Sequence, residues 1–479
     1  MISLNAYIWG FDDSYTRDVI RRLDSEKIIK IKRWFISENM EKDEWFLGKE
    51  WVELPWRFDL IKDFKRRNLF TPVDVDNHIF ANLEMILHNF TRATDCFCVP
   101  MHEAINMVHC LKNHYYYLLK KDNPDIILFY NLPHYPEGIV LYFLAKAMGI
   151  KTLLLTMTSF IGEITYCYSL DDYGEFRDVP EYVPLYKKRS LENIEISYKI
   201  QMPYTTPKCI KHDMGLDKPL TQKLRALLHP VDYCYERYKL IVGNYSAKYE
   251  SFTDFLEMRL HKIINNKLGR ENYSKRFRNL VLSNFDINDD YVYFPLHLQP
   301  EMSTDTQGGV YTDQLLALEK LVACLPKGWK IFVKENPKQT YYKRGKYFFQ
   351  RLKSIPNVFL LDRSVDTVLL MQHAKIVATI NGTAAYEAVK GGTPAVIFGK
   401  YWYNGLEGIF QYYDGLDMAK VSSYKIDRDA LAKGILAKKK KMVPVVLYDN
   451  DIQYVEEFNE TRNKDELYNF LKYILPLVR

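Results

Sequence analysis

In the run YVYFPLHLQPEMSTDTQGG, residues 291–309, an apolar stretch ends at Pro295. His297, Gln299 and Glu301 then fall on alternate positions before a polar segment closes with two glycines. Alternate positions share one side of an extended chain, so three hydrogen-bonding groups leave a core strand together. His297 titrates near neutrality when unperturbed and suits acid–base work, although a histidine after a strand serves equally as a structural hydrogen-bonder. FVKENP sets Lys334, Glu335 and Asn336 after another apolar run. There the lysine could neutralise a phosphate and the glutamate hold a sugar or ribose hydroxyl, or the two could form a surface ion pair.

The segment NGTAAYEAVKGG is the most interpretable. Gly382 permits close backbone approach, Thr383 can cap a helix and donate its hydroxyl, and free N–H groups with the helix dipole favour an anion there. The monophosphate or diphosphate of a nucleotide-sugar is the natural guest. Glu387 lies one turn further on the same face, where a carboxylate could take ribose hydroxyls. Upstream, FYNLPHYPEG places Asn131, His134 and Glu137 after a strand, and TMTSFIGE places Ser159 and Glu163 after the next. These positions suit an acceptor pocket, formed by Asn131, His134 and Ser159, and a catalytic carboxylate, Glu137 or Glu163; each could also be purely structural.

What is missing narrows the chemistry. The chain has no P-loop lysine motif, no His-Glu-x-x-His, no Gly-x-Ser-x-Gly and no Asp-x-Asp in a convincing loop. Group transfer without a metal or other cofactor is the expectation, with a helix dipole and basic groups stabilising a leaving phosphate.

The elements that must carry these residues alternate regularly. LNAYIWG and IIKIKRWFIS read as strands and residues 101–125 as an amphipathic helix. IILFYNLP is then a strand, PEGIVLYFLAKAMGI a helix and KTLLLTMT a strand, which together make a right-handed βαβ unit. Residues 219–285 carry helical periodicity without strands. From 291 onward five apolar runs, ending with PAVIFG, alternate with four helices, which predicts a doubly wound parallel sheet. The predicted organisation is an N-terminal α/β acceptor domain over 1–215, a helical insertion over 216–288, a Rossmann-like nucleotide-sugar domain over 289–425 and a helical segment over 426–479. The fold class is α/β: two Rossmann-like halves facing across a cleft, the GT-B architecture of glycosyltransferases and of sugar epimerases built alike. In such sheets ligands sit outside the carboxyl ends of the strands, where His297, Lys334, Asn381 and Gly382 fall.

Composition agrees with a folded chain of more than one core. Of 479 residues, 47% are hydrophobic and 26% charged, and 37 are tyrosines, which pack cores and can stack on sugars. The net charge of +6 is small for this length, and no nucleic-acid motif accompanies it. The basic run Lys438–Lys441 is a solvated helix end or a peripheral contact with an anionic membrane or polyanionic product. Seven scattered cysteines without zinc spacing fit free thiols in a reducing cytosol. The opening residues lack the pattern of a signal peptide, and no apolar stretch reaches the roughly 18 residues a membrane span needs. A cytoplasmic location, with a peripheral one at the inner membrane face as its variant, is expected.

Taken in order, YVYFPLHLQPE, LPKGWKIFVKENPKQ, IPNVFLLD, ATINGTAAYEAVKGGTPAVIFG and YWYNGLEGI resemble the capsule polysaccharide biosynthesis family, over about 290–410. That family includes bacterial transferases that add Kdo from CMP-Kdo during capsule assembly. The resemblance implies a GT-B donor site lined by Gln299 and Glu301, by Lys334, Glu335 and Asn336, and by Gly382, Thr383 and Ala384. Many relatives carry His-Pro where this chain has Asn336-Pro337, and asparagine can donate a hydrogen bond but holds no charge. The expected activity is transfer of a sugar from a nucleotide-sugar to a growing surface glycan or glycolipid. A GT-B epimerase or hydrolase, and a non-catalytic polysaccharide-binding protein, remain open alternatives.

Overall fold

A computed structural model describes residues 3–36, 45–46, 49–53, 72–93, 101–176, 179–186, 253, 268–269, 271–339, 344–455 and 457–478. Two compact units emerge: Met1–Asn193 together with Ile435–Arg479, and Ile194–Gly434. Each is built on a six-stranded sheet.

In the first unit the strands are β1 (Leu4–Trp9), β2 (Ile29–Phe35), β3 (Val52–Glu53), β4 (Ile126–Phe129), β5 (Lys151–Met157) and β6 (Ile164–Cys167), in the order β3-β2-β1-β4-β5-β6. All pairs are parallel except β5 with β6. The second unit holds β7 (Tyr291–Pro295), β8 (Lys330–Lys334), β9 (Val358–Leu361), β10 (Ile376–Thr379), β11 (Ala395–Ile397) and β12 (Ile409–Gln411). Their order is β12-β11-β10-β7-β8-β9, parallel throughout. Counted within each unit, both sheets follow the strand order of the dinucleotide-binding fold, whose direction reverses between the first and fourth strands. The switch points are therefore β1/β4 and β7/β10.

The second sheet explains why its strands read as continuous apolar runs. Val292 and Phe294 of β7 join Ile331, Val333, Ala378 and Val396 in one core, against Leu318 and Leu321 of the helix Gln314–Ala323. On the opposite face Tyr291 meets Phe332, ring centroids 4.6 Å apart. A sheet covered on both faces cannot alternate polar with apolar residues. The helices Lys346–Ser354, Thr367–His373 and Thr383–Gly391 follow β8, β9 and β10. Most of the expected helical insertion lies outside the described residues; within it, Tyr273 and Phe277 pack into the second unit's core.

The tail does not stand apart. Its helix Glu460–Ile474 lies on the helix Ser14–Ser25 of the first unit: Lys464 Nζ donates to Asp18 Oδ2 at 2.8 Å, and Arg22 Nη1 to Asp465 Oδ1 at 3.2 Å. Glu466, 2% exposed, accepts from Tyr182 Oη at 2.6 Å and from the amides of Leu185 and Tyr186.

The run Lys438–Lys441, expected as a solvated helix end or a peripheral contact, is largely engaged within the first unit. Lys438 Nζ reaches Gly174 O at 3.5 Å and lies over the Phe176 ring. Lys439 pairs with Glu163 at 3.3 Å, and Lys441 donates to Phe176 O at 3.3 Å. Three of the four ammonium groups thus serve contacts inside the first unit, and Lys440 is the exposed one. Among the described residues no helix is long and apolar enough to cross a membrane.

Candidate functional site

The β7/β10 switch point is where the second unit gathers its polar strand ends. β7 delivers His297, which is 9% exposed. Its backbone amide donates to Gln314 Oε1 at 2.7 Å, and its Nε2 lies 2.8 Å from the Thr379 hydroxyl at the end of β10. Burial and the Arg344 cation push its pKa down to about 4. The imidazole is therefore neutral under ordinary conditions, and the acid–base role expected of it gives way to a hydrogen-bonding one.

Arg344 organises the neighbouring strand ends. Its guanidinium donates from Nη1 to Gln299 Oε1 at 3.0 Å, from Nη2 to the His297 carbonyl at 3.1 Å, and to both oxygens of Glu335 at 3.3 Å. The face of the group lies 4.3 Å from the Phe348 ring centroid. The Arg344 and Glu335 side chains are 3% and 1% exposed. Glu335 is thus a buried structural carboxylate rather than the donor-sugar contact expected. Gln299 is equally committed: its Nε2 donates to Thr312 O at 2.6 Å, and its Oε1 also accepts from Gln314. Glu301 caps the short helix Met302–Asp305 by accepting from the Met302 amide at 3.0 Å and stays half-buried.

Lys334 points elsewhere than expected. Burial lowers its pKa, and Nζ donates to Val365 O at 2.5 Å and to Thr367 Oγ1 at 2.8 Å, at the start of the helix Thr367–His373. Asn336 closes a local turn, its Oδ1 accepting from the Lys338 amide at 2.9 Å.

After β10 the cap of the helix Thr383–Gly391 is Gly382, not Thr383. Thr383 is the first helical residue, and its hydroxyl bonds instead to Glu387, whose carboxyl burial shifts upward. The Gly382 amide donates to Thr379 Oγ1 at 3.3 Å and that of Ala385 to the Gly382 carbonyl. The amides of Thr383 and Ala384 have no acceptor among the described residues. The requirement for glycine is spatial, since φ is −74°. A Cβ at 382 would stand 3.1 Å from His297 Cε1 and 3.1 Å from Thr379 Oγ1. Gly382→Ala is accordingly expected to cost about 1–3 kcal/mol of overpacking in the second unit, read as a lowered thermal midpoint.

A family profile described as capsule polysaccharide biosynthesis protein matches residues 184–428, just over half the chain and all of β7–β12. The chain belongs to this family. No curated protein sequence matches it. Similar solved structures include the UDP-GlcNAc 2-epimerase of Methanocaldococcus jannaschii, 13% identical over 98% of this chain and 99% of that one, with a TM-score of 0.22. Thermosulfurimonas dismutans KpsC, described as a beta Kdo 2,7 transferase, is 11% identical over 80% of this chain and 94% of the other, TM-score 0.30. At such scores these likenesses carry no argument; the fold rests on the two sheets.

In the first unit of this capsule-family protein the expected acceptor residues divide. Asn131 donates to Tyr448 Oη at 2.6 Å and accepts from the Leu132 amide, so the tail occupies it. His134 Nδ1 lies 2.6 Å from the Leu132 carbonyl, and Ser159 is buried at 8% exposure. Glu163 is paired with Lys439, and its carbonyl accepts from Thr158 Oγ1 at 3.0 Å. Glu137, in the first turn of the helix Pro136–Ala147, differs. It accepts from its own amide, its Oε2 is buried without a partner, and burial pushes its pKa up to about 8. Among the described residues no group of three or more His, Cys, Asp or Glu could hold a metal ion.

Sequence reasoning missed Arg344, Thr379 and Gln314. The available signal for Arg344 was Glu335 itself, since a carboxylate ending a buried strand requires a cation.

Proposed function

We propose that this protein is a glycosyltransferase of surface polysaccharide synthesis. A nucleotide-sugar binds at the β7/β10 switch point, and the acceptor is a hydroxyl of a glycan or glycolipid. The observation that carries the reading is the family match spanning the whole second sheet, with the amides of Thr383 and Ala384 opening a helix at its switch point. A phosphate there meets N–H groups and the positive end of a helix. Glu387, bonded to Thr383, is the group for ribose hydroxyls.

Glu137 acts as general base in this proposal. It takes the acceptor hydroxyl proton, the acceptor oxygen bonds the anomeric carbon, and the bond from that carbon to phosphate breaks with its electron pair passing to the nucleotide. Charge on the leaving phosphate is stabilised by the helix amides, without a metal. Glu163 is the weaker choice because Lys439 engages it in an ion pair within the first unit. Work on nucleotide-sugars implies a cytoplasmic site of action.

A nucleotide-release assay over a panel of nucleotide-sugars, with and without oligosaccharide acceptors, tests the reading. Release that needs an acceptor is expected, and Thr383→Val should weaken nucleotide binding. Turnover without acceptor would point to an epimerase or hydrolase, and glycan binding with no donor consumed would point to an assembly protein.

A further inference from the structure

Thr379 ends β10 with 0% exposure, in a strand otherwise made of Ile376, Val377 and Ala378. A buried hydroxyl in such a strand is costly unless its hydrogen and its lone pairs are used. Here they are. The oxygen accepts from the Gly382 amide at 3.3 Å, which leaves the hydroxyl hydrogen for His297 Nε2 at 2.8 Å. The Asn381 amide approaches the same Nε2 at 3.5 Å. Two donors aimed at one ring nitrogen assign it the lone pair and put the imidazole proton on Nδ1. The ring also lies directly under the turn, as the short distances from a Cβ at 382 show. Behind it, Arg344 holds the His297 carbonyl while Glu335 balances the guanidinium charge.

We propose that Thr379 and His297 form a positioning relay for the turn that opens the helix Thr383–Gly391: Gly382 N–H to Thr379 Oγ1, and Thr379 O–H to His297 Nε2, with Arg344 anchoring the histidine. Neither residue touches the reacting atoms. The relay removes the Gly382 amide from the set a ligand can meet and fixes the direction of the next two. Its polarity is single-valued. A proton on Nε2 would set N–H against the Asn381 N–H and force the threonine hydroxyl to turn away. That the fixed turn receives the donor's phosphate rests on the function proposed above.

Thr379→Val keeps the shape and deletes the hydroxyl, and Thr379→Ser restores it. In the full-length wild type, histidine ¹⁵N spectra are expected to show His297 unprotonated at Nε2. In Thr379→Val that signal should move and the Gly382 amide should exchange faster with solvent. The Kd for CMP or UDP should rise about tenfold, the scale of one buried hydrogen bond broken at the turn. Thr379→Ser should recover all three. A ring protonated at Nε2 at neutral pH overturns the relay, as does a valine variant whose Gly382 exchange and nucleotide affinity are unchanged. If the wild type binds neither nucleotide, the functional proposal fails, and the relay is judged on the ring and amide signals alone.

Discussion

Arg344→Leu is expected to lower the stability of the second unit by about 3–5 kcal/mol, the scale seen when one partner of a buried ion pair is removed. The reason is what stays behind. Glu335 keeps only the Asn336 amide at 3.1 Å and the Tyr273 hydroxyl at 3.4 Å for a carboxylate sealed from water. The His297 carbonyl and Gln299 Oε1 lose donors as well. Lysine should not rescue the site, because a single ammonium cannot reproduce a planar fork that reaches three residues at once. The double variant Arg344→Leu with Glu335→Leu should recover part of the loss, since an apolar pair of similar volume removes the stranded charge. Denaturant unfolding, read on the transition of the second unit, decides it. A single variant losing under about 1 kcal/mol, with a double variant no more stable, would show that the pair is incidental.

Glu137→Gln should slow turnover by about 10²- to 10⁴-fold while making the first unit more stable at alkaline pH. Both effects come from one buried carboxyl. Its folded pKa, about 8, lies above its ordinary value of 4.5, so folding binds a proton between those limits. Below pH 4.5 the group is neutral in both states and nothing is lost. As pH rises from there toward 8, the unfolded chain ionises freely while the folded one resists. Wild-type stability therefore falls through that window, by a few kcal/mol in order of magnitude, and glutamine is exempt. Activity should run the other way: a base must be ionised, so kcat/KM is expected to climb with pH, reach half its limit near 8 and level off above it. Paired pH profiles of melting and turnover test this. A glutamine variant with wild-type kcat, or with an unaltered pH dependence of melting, would remove Glu137 from its role.

The pattern of legibility follows from where the constraints lie. β7 to β11 could be read directly because burial on both faces leaves apolar runs bounded by turn residues, and each was found where YVYFP, IFV, VFLL, IVAT and AVI stand. β12 offers only three residues, one exposed, and gave no such signal. The strand ends were also legible as places: His297, Glu335 and Gly382 stand just beyond the ends of β7, β8 and β10. Their directions were not. Glu335 turns to Arg344, whose position nine residues on has no periodic relation to it, and Glu163 turns to Lys439 far along the chain. A lysine run looks solvated until its partners at Gly174 and Phe176 are known. Thr383 looked like the cap because threonine caps by chemistry, yet the cap is Gly382, where a Cβ would crowd the His297 ring at 3.1 Å.

The first unit is a host interrupted by a guest. Its sheet is encoded before residue 194 and its closing helix, Glu460–Ile474, after residue 434, with the whole second unit between them. A ribosome delivers the guest entire before the host's last helix emerges, and domains fold as units while synthesis proceeds. The second unit can therefore finish first. Meanwhile the helix Ser14–Ser25 waits with Asp18 and Arg22 uncovered, its partners Lys464 and Asp465 not yet made. The half of the protein synthesised earliest is the half that becomes whole last.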